Sequence, residues 1–201
     1  MPTIIDEISR RIPITPEITE ALLQIITEQT FKRGDTISAI GEMRSYLYFM
    51  TSGLARVYYL KSGKEHTYSF AFNGEAISLS KPLLSNNDYS ATIEFLETSS
   101  VSILKFEALE QLIKQFDPSI AKTLIGFFLN GLRVHTANLE ERIIMLQTCS
   151  APERFNWLIN KHPKVLERAN ITQIASYLGV TKETLYRIRS GKYKATSDKT
   201  E

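Results

Sequence analysis

The first apolar pattern along the chain predicts a short amphipathic helix near the N-terminus. Thr15 precedes Pro16, the order expected for a helix N-cap followed by a first-turn proline. Apolar residues then recur three and four positions apart, at Ile18, Leu22 and Ile25-Ile26, and such a spacing places them on one helical face. We expect this helix to end near Gln29.

From Phe31 to about Phe106 the pattern changes to short runs of aromatic and β-branched residues separated by turn sequences. The turn sequences are Gly34-Asp35, Ser52-Gly53, Ser62-Gly63, Asn73-Gly74 and Ser85-Asn86-Asn87-Asp88. Such spacing is typical of many short antiparallel strands. No helical crossover is visible between them, which favours a small roll or barrel over an α/β sheet.

Alternation of large apolar and smaller residues indicates strands with one buried face. It is clearest at Tyr68, Phe70 and Phe72 against Thr67, Ser69 and Ala71, and again at Val101 and Ile103 against Ser100 and Ser102. We expect the large apolar residues of both sets to face the core and the residues that alternate with them to lie on a wetter face.

A long helix is predicted after the strands. A short helical stretch from Leu109 to Phe116 leads into Asp117-Pro118, again an N-cap and a first-turn proline. A narrow apolar stripe close to a heptad pattern follows, at Ala121, Ile125, Phe128, Leu132, His135, Leu139, Ile143 and Leu146. Burial against the chain's own barrel and pairing with a second copy both explain this stripe; its length and narrowness favour a homodimer.

The sequence Ser150-Ala151-Pro152-Glu153 has the form of a capping box, so a new helix begins there, and His162-Pro163 ends it. Charge changes at about the same point. Residues 1–150 contain 14 Lys and Arg against 17 Asp and Glu, a net charge of −3, whereas residues 151–201 contain 10 against 5, a net charge of +5. Positive charge concentrated in the last quarter indicates contact with a polyanion, although a solvated basic face would look the same.

Candidate chemistry for catalysis or metal binding is sparse. Cys149 is the only cysteine, which excludes an internal disulfide and a cysteine-held zinc or iron–sulfur centre within one chain. His66, His135 and His162 lie far apart in sequence, so we expect no metal, cofactor or catalytic site. The N-terminus lacks a signal-peptide pattern and no apolar run approaches ~20 residues, so we expect a cytoplasmic protein without a membrane partner.

Two short helical patterns flank a glycine-centred turn between Ile171 and Arg189. Ala175 is small enough to let the second helix cross close over the first, Gly179 can adopt a left-handed conformation, and Thr181 can cap the second helix. A miniature core is expected from Ile174, Leu178, Val180, Leu185 and Ile188. The residues left on the outside are Lys182, Glu183, Tyr186, Arg187 and Arg189. These groups suit base edges and phosphates, and they fall in the register of a recognition helix; a helical hairpin with a solvated charged face is the alternative.

In these features the chain resembles the Crp/Fnr family of bacterial regulators. The resemblance rests on Phe31-Lys32-Arg33-Gly34-Asp35, Gly41, Leu47-Tyr48-Phe49 with Ser52-Gly53, Asn73-Gly74-Glu75, the long helix and Gly179-Val180-Thr181-Lys182-Glu183-Thr184-Leu185-Tyr186-Arg187-Ile188. It implies an α+β fold in three parts. These are a cyclic-nucleotide-binding-type β-roll (double-stranded β-helix) with an N-terminal helix at residues 1–116, a dimerisation helix at 117–149, and a helix-turn-helix, winged-helix-like DNA-binding domain at 150–201.

The resemblance also implies roles for individual residues. Lys182, Glu183 and Arg187 occupy the positions that read bases in the major groove. The DNA backbone would be contacted by Thr181, Tyr186, Arg189, Lys192 and Lys194. The short stretch after Arg189 leaves little room for a complete C-terminal hairpin, so we expect a reduced wing.

The chain departs from the family where nucleotide-binding members hold the cyclic phosphate and ribose. Alignment places Ser78-Leu79 at the positions of a Gly-Glu turn and Tyr89-Ser90 at those of an Arg-Ser pair. Losing the guanidinium and the acceptor would cost several kcal/mol, on the order of a thousandfold in affinity. We therefore expect an unknown small-molecule effector other than cyclic AMP; a cyclic-nucleotide-responsive regulator with a non-standard pocket is the alternative.

Two other functional classes compete with a regulator. A kinase or channel subunit controlled by the roll would lack the segment from Ile171 to Arg189, and an enzyme on this scaffold would need clustered ligands where only His66 occurs. The expected partners are double-stranded DNA, a second copy of the chain and, for an activator, RNA polymerase.

Overall fold

A computed structural model describes residues 3–38, 45–79 and 91–193. The chain divides into two compact units, the first ending at Asn138 and the second beginning at Leu139. The described helices are α1 (Ile4–Arg11), α2 (Pro16–Ile25), α3 (Phe106–Ile113), α4 (Pro118–Thr148), α5 (Ala151–Lys161), α6 (Val165–Arg168), α7 (Ile171–Leu178) and α8 (Lys182–Arg189). The described strands are β1 (Ile26–Phe31), β2 (Thr36–Ser38), β3 (Tyr46–Ser52), β4 (Ala55–Lys61), β5 (Lys64–Ala71), β6 (Ala76–Ser78), β7 (Ala91–Phe95) and β8 (Ser99–Lys105).

The described strands form two antiparallel sheets, in the orders β1-β8-β3-β6 and β2-β7-β4-β5. One apolar cluster contains inward side chains from both sheets, including Tyr48, Val57 and Ile93. Within it, the rings of Phe31 and Phe95 stack with their centroids 4.1 Å apart. The predicted β-roll is confirmed, and the four predicted turns between Gly34 and Gly74 all lie between strands; Gly41 and the turn predicted at 85–88 lie outside the described residues.

Gly53 shows why the turn between β3 and β4 needs glycine. Its φ is +99°, and a Cβ atom at this position would lie 2.2 Å from Ser99 Oγ. A larger residue would therefore be strained and would collide with β8.

A second apolar cluster covers the outer face of the first sheet. It joins Ile4 and Ile8 of α1 and Leu22 of α2 to Leu104 of β8 and Leu124 of α4. Helix α1 was missed in the sequence, although the Thr3/Asp6 capping box marks its start.

The residues after α2 correct the predicted helix end. Helix α2 ends at Ile25, and the next residues form β1, in register with β8 from the pair Ile26↔Leu104 to Phe31↔Ser99. Pairing with a strand some 70 residues away satisfies the backbone of Thr27 to Gln29 better than another helical turn. The prediction of a helix to Gln29 is wrong for this reason.

The alternation predicted for β5 is correct for Tyr68 and Phe70, but the prediction of a wetter opposite face is wrong. The register of β5 against β4 shifts at a β-bulge between Val57 and Tyr58. Tyr68 packs against the roll core and Phe70 is 8% exposed, but Thr67 and Ala71, on the face predicted to be wetter, are 2% and 1% exposed. The extra residue in β5 interrupts the strict alternation of inward and outward side chains.

The face of β8 that was predicted to be wetter is covered. Val101 and Ile103 face the roll core as expected, but Ser102 is 0% exposed and donates a hydrogen bond of 2.6 Å to Glu28 Oε1. This face is buried because Leu104, two residues further along it, packs among the helices.

Helix boundaries follow the predicted caps closely. Asp117 Oδ1 accepts a 2.8 Å hydrogen bond from the Ser119 N–H at the start of α4, and the Ser150/Glu153 capping box starts α5. Helix α3 begins and ends three residues earlier than predicted. The division between the compact units falls inside α4, and the division into three domains stays a prediction. Among the described helices, none is long and apolar enough to cross a membrane.

Candidate nucleic-acid interface

Helix α7 begins and ends at the residues that its sequence specifies. Asn170 Oδ1 accepts from the Gln173 N–H at 2.9 Å, and the Asn170 N–H donates to Gln173 Oε1 at 3.0 Å, so the two side chains form a capping box. At its other end, Gly179 adopts the left-handed conformation with φ 65° and ψ 37°. The N–H groups of Gly179 and Val180 donate to the carbonyls of Ser176 and Ala175.

Helix α8 follows at once from a second cap. Thr181 Oγ1 accepts from the Thr184 N–H at 3.1 Å, as predicted. One side of α8 faces inward, since Leu185 is 0% exposed. Of the other residues of the predicted miniature core, Ile174 and Leu178 are buried and Val180 and Ile188 are half-buried. Ala175 is 2% exposed, as expected where two helices cross closely.

The outer side of α8 has the predicted set of polar and aromatic side chains. All of its candidate recognition residues are exposed: Lys182, Glu183, Tyr186, Arg187 and Arg189. A hydrogen bond from its own backbone N–H, and another from the Thr181 hydroxyl, lower the pKa of Glu183. Glu183 is therefore an anionic acceptor at neutral pH, flanked by the cations of Lys182 and Arg187. Lys192 is exposed beyond the end of α8, and Lys194 lies outside the described residues.

Helix α5 is joined to the last part of α4 behind the helix-turn-helix segment (residues 171–189). Glu141 accepts from Trp157 Nε1 at 2.8 Å and from Lys161 Nζ at 3.0 Å. These bonds lower the pKa of the Glu141 carboxyl, the Trp157 bond having the largest effect. Sequence reasoning missed this contact, because a Glu and a Trp 16 residues apart on two helices leave no periodic signal.

The exposed side of α4 follows a register that differs in part from the predicted stripe. Phe128 packs against the helical cluster beside the roll, whereas Leu129 is 56% exposed. The heptad-spaced residues that we call the α4 seam are Ile125, Leu129, Leu132, Thr136, Leu139, Ile143 and Leu146. Of these, Ile125, Leu129, Leu132 and Ile143 are between 43% and 60% exposed. Such a row of large apolar side chains is the pattern of a helix that pairs with another helix.

The candidate effector positions are only partly described, since Tyr89 and Ser90 lie outside the described residues. Ser78 is exposed at the end of β6, while Leu79 is 1% exposed and belongs to the roll core. Tyr48, 1% exposed in the same core, has its pKa raised to about 12 by burial. Leu79, one of the predicted effector positions, is therefore part of the apolar core. Among the described residues, no three His, Cys, Asp or Glu side chains lie together as metal ligands would.

Comparison with known proteins gives matches over most of the chain. Residues 28–116 match the family described as the cyclic nucleotide-binding domain. The transcriptional activator protein FnrA of Stutzerimonas stutzeri is 25% identical over 169 residues, which are 78% of this chain and 66% of FnrA. The transcriptional activator protein Anr of Pseudomonas aeruginosa is 23% identical over 188 residues, 87% of this chain and 74% of Anr.

Solved structures share the fold at low sequence identity. FixK2 from Bradyrhizobium japonicum has a TM-score of 0.63 at 24% identity, covering 83% of this chain and 84% of FixK2. The c-di-GMP responsive global regulator CLP of Xanthomonas campestris has a TM-score of 0.62 at 14% identity, covering 88% and 91%. These likenesses show that the sheets and helices follow a known arrangement.

Proposed function

We propose that this chain binds double-stranded DNA as a homodimer. It belongs to the Crp/Fnr family of transcription regulators, and its cyclic nucleotide-binding domain lies at residues 28–116. The observation that carries the proposal is the exposed face of α8, whose polar side chains are held on a helix that buries Leu185 on its other side. A helix of this kind fits the major groove of B-DNA.

Three residues on this face read bases in the proposed complex. Arg187 offers the paired donors that match guanine O6 and N7, and the ionised Glu183 accepts from the amino group of cytosine N4. Lys182 contacts a base or a phosphate. Together they account for sequence preference.

The neighbouring residues supply contacts to the DNA backbone. This set comprises Thr181, Tyr186, Arg189, Lys192 and Lys194. Phosphate contacts of this kind set affinity and its salt dependence and not the choice of sequence.

Dimerisation occurs through the α4 seam in this proposal. Large apolar side chains at 43% to 60% exposure are costly in water, and a second copy would bury them against their equivalents. Two-fold symmetry then places two copies of α8 in successive major grooves ~34 Å apart, on a roughly palindromic site.

The input signal acts through the roll. With Leu79 in the apolar core, we propose an effector other than cyclic AMP; a cyclic nucleotide bound in a non-standard pocket is the second candidate. Any effector must bind two states of the dimer with different affinity in order to change DNA binding. A chain that activates transcription would also contact RNA polymerase.

Selection from random duplex DNA by gel shift tests the DNA claim. We expect enriched sites that have two-fold symmetry and a preferred base sequence. Arg187→Ala should relax the base preference at one position in each half-site. Lys164→Ala, which removes an exposed cation outside α8 in the sequence, is the matched control and should keep the preference. Recovered sites without symmetry would exclude the dimer, and absence of enrichment would exclude the regulator.

Calorimetry with cyclic AMP tests the effector claim separately. We expect no heat of binding at micromolar nucleotide. Micromolar affinity would overturn the argument from Leu79 and favour the second candidate, whatever the DNA selection shows.

A further inference from the structure

The C-terminal end of α7 has a backbone feature that DNA contact does not explain. A helix leaves its last four carbonyls without helical donors. In α7 the first two of these, on Ala175 and Ser176, accept from the turn residues Val180 and Gly179. The carbonyls of Tyr177 and Leu178 follow, at the point where the chain turns into α8.

Two arginines from two other helices donate to these carbonyls. Arg142 Nη2 of α4 lies 2.9 Å from the Tyr177 oxygen, and Arg154 Nη1 of α5 lies 2.8 Å from the Leu178 oxygen. Positive charge at a helix C-terminus also interacts favourably with the helix dipole. We call this pair the arginine clamp.

Packing holds the arginine clamp in place. The Arg142 guanidinium carbon lies 4.7 Å from the centre of the Tyr177 ring. A Cβ atom on Gly179 would lie 3.2 Å from Leu146 of α4 and 3.3 Å from Arg154 Nη1, so the turn itself touches both helices. Arg154 Nε is buried without a hydrogen-bond partner among the described residues, and an unpaired buried N–H lowers stability.

We propose that Arg142 and Arg154 are positioning residues, which set the orientation of α8 from behind and thereby the base selectivity of the protein without touching DNA. This inference rests on the proposed DNA-binding function. Helix α8 has 8 residues and is therefore about 12 Å long. A tilt of roughly 10° at its first residue would move its last turn by about 2 Å, which breaks base hydrogen bonds whose length range is about 0.5 Å.

Loss of the arginine clamp should therefore affect the two kinds of DNA contact differently. Base contacts by Arg187 depend on the tilt of α8. Contacts from long basic side chains to phosphates adjust to small rotations, and they carry most of the non-specific affinity.

The test measures affinity for the selected site and for a scrambled duplex of equal length, in the full-length protein. We expect Arg142→Gln and Arg154→Gln each to lower the ratio of the two affinities roughly tenfold, with the salt dependence on scrambled DNA unchanged. Lys164→Gln removes the same charge from the same unit and should leave the ratio unchanged. Arg142→Lys and Arg154→Lys keep the positive charge and an ammonium donor, and should retain most of the selectivity; because they keep the charge, they also test the idea should a Gln variant fail to fold.

Thermal unfolding identifies the folded fraction of each variant, so that affinities refer to folded protein. If the wild type is selective and the double variant Arg142→Gln/Arg154→Gln has the same ratio of affinities for selected and scrambled DNA, the inference is overturned while the proposed function stays intact. Equal losses on both duplexes would reduce the arginine clamp to a structural role and also overturn it. A wild type that does not discriminate would instead overturn the proposed function itself.

Discussion

The exposed face of α8 and the roll positions around Leu79 were both assigned to recognition from sequence, and they present opposite surfaces. On α8 the polar groups lie in solvent while Leu185 is 0% exposed beneath them. In the roll, Leu79 is 1% exposed and forms part of the core. The polar side chains of α8 are therefore accessible to a partner, whereas Leu79 packs in the roll core and contributes to its stability.

A charged side chain at position 79 should have the largest effect on stability, and it tests whether this position belongs to the core. Leu79→Glu would place a carboxylate in the apolar core, and we expect a loss of about 3 to 5 kcal/mol in the free energy of unfolding. Ser78→Glu, at the exposed neighbouring position, should stay within about 0.5 kcal/mol of wild type. Denaturant unfolding measures both; a stable Leu79→Glu protein would mean that this side chain faces a wet pocket.

Two substitutions in α8 separate stability from recognition. Leu185→Ala removes a fully buried side chain and should lower the free energy of unfolding by about 2 to 4 kcal/mol. Arg187→Ala should leave stability nearly unchanged but weaken binding to the selected site by about 1 to 3 kcal/mol. Unfolding and gel-shift titrations on the same samples provide the comparison, and equal effects of the two variants on both measurements would contradict it.

Alanine substitutions at two glycines with left-handed backbone conformation separate the cost of backbone strain from the cost of crowding. Gly179→Ala adds the cost of a left-handed alanine, about 1 to 2 kcal/mol, and brings a methyl group against Leu146 and Arg154. Gly191→Ala adds the same strain at φ 68°, with no atom within 4 Å of the new methyl. Thermal melts should show the larger loss for Gly179→Ala, whereas equal losses would mean that the crowding has no cost.

The two units should lose stability at opposite ends of the pH scale. Burial, with the nearby Lys161 charge, lowers the pKa of His162 to about 4. Below pH 6.5 the unfolded chain binds a proton that the folded unit does not, so the free energy of unfolding falls between pH 6.5 and 4. Burial raises the pKa of Tyr48 to about 12, so above pH 10 the unfolded chain loses a proton that the folded roll keeps, and stability falls from there.

Melting curves recorded across the pH range, monitored separately for each unit, measure how the stability of each unit changes with pH. His162→Gln should flatten the acid slope and Tyr48→Phe the alkaline one. An acid slope that survives His162→Gln would assign the transition to other groups.

Several features were predictable because their causes lie within a few residues. The caps at Thr15, Asp117, Ser150 and Thr181, and the left-handed turn at Gly179, were all correct. Each depends on side-chain oxygens that reach nearby N–H groups or on the absence of a Cβ atom, and such causes act locally in any tertiary context.

Other features had partners far away in sequence. Ile26 to Gln29 could continue a helix until β8 offers its hydrogen bonds, and Ala71 appeared to lie on a wetter face, although it is 1% exposed in a strand whose register shifts at a bulge. Arg56 is 4% exposed and bonded to Glu65, Thr67 and Glu94, which lie 9, 11 and 38 positions away.

The sequence by itself thus determined where the helix-turn-helix segment begins, turns and ends, and which side chains α8 presents, because capping and helical periodicity are local. Only the tertiary structure decided that Leu79 belongs to the core and that Arg142 and Arg154 hold the end of α7. Arg142 lies 35 positions from Tyr177 and Arg154 lies 24 positions from Leu178, and no pattern along the chain records which distant donor meets which carbonyl.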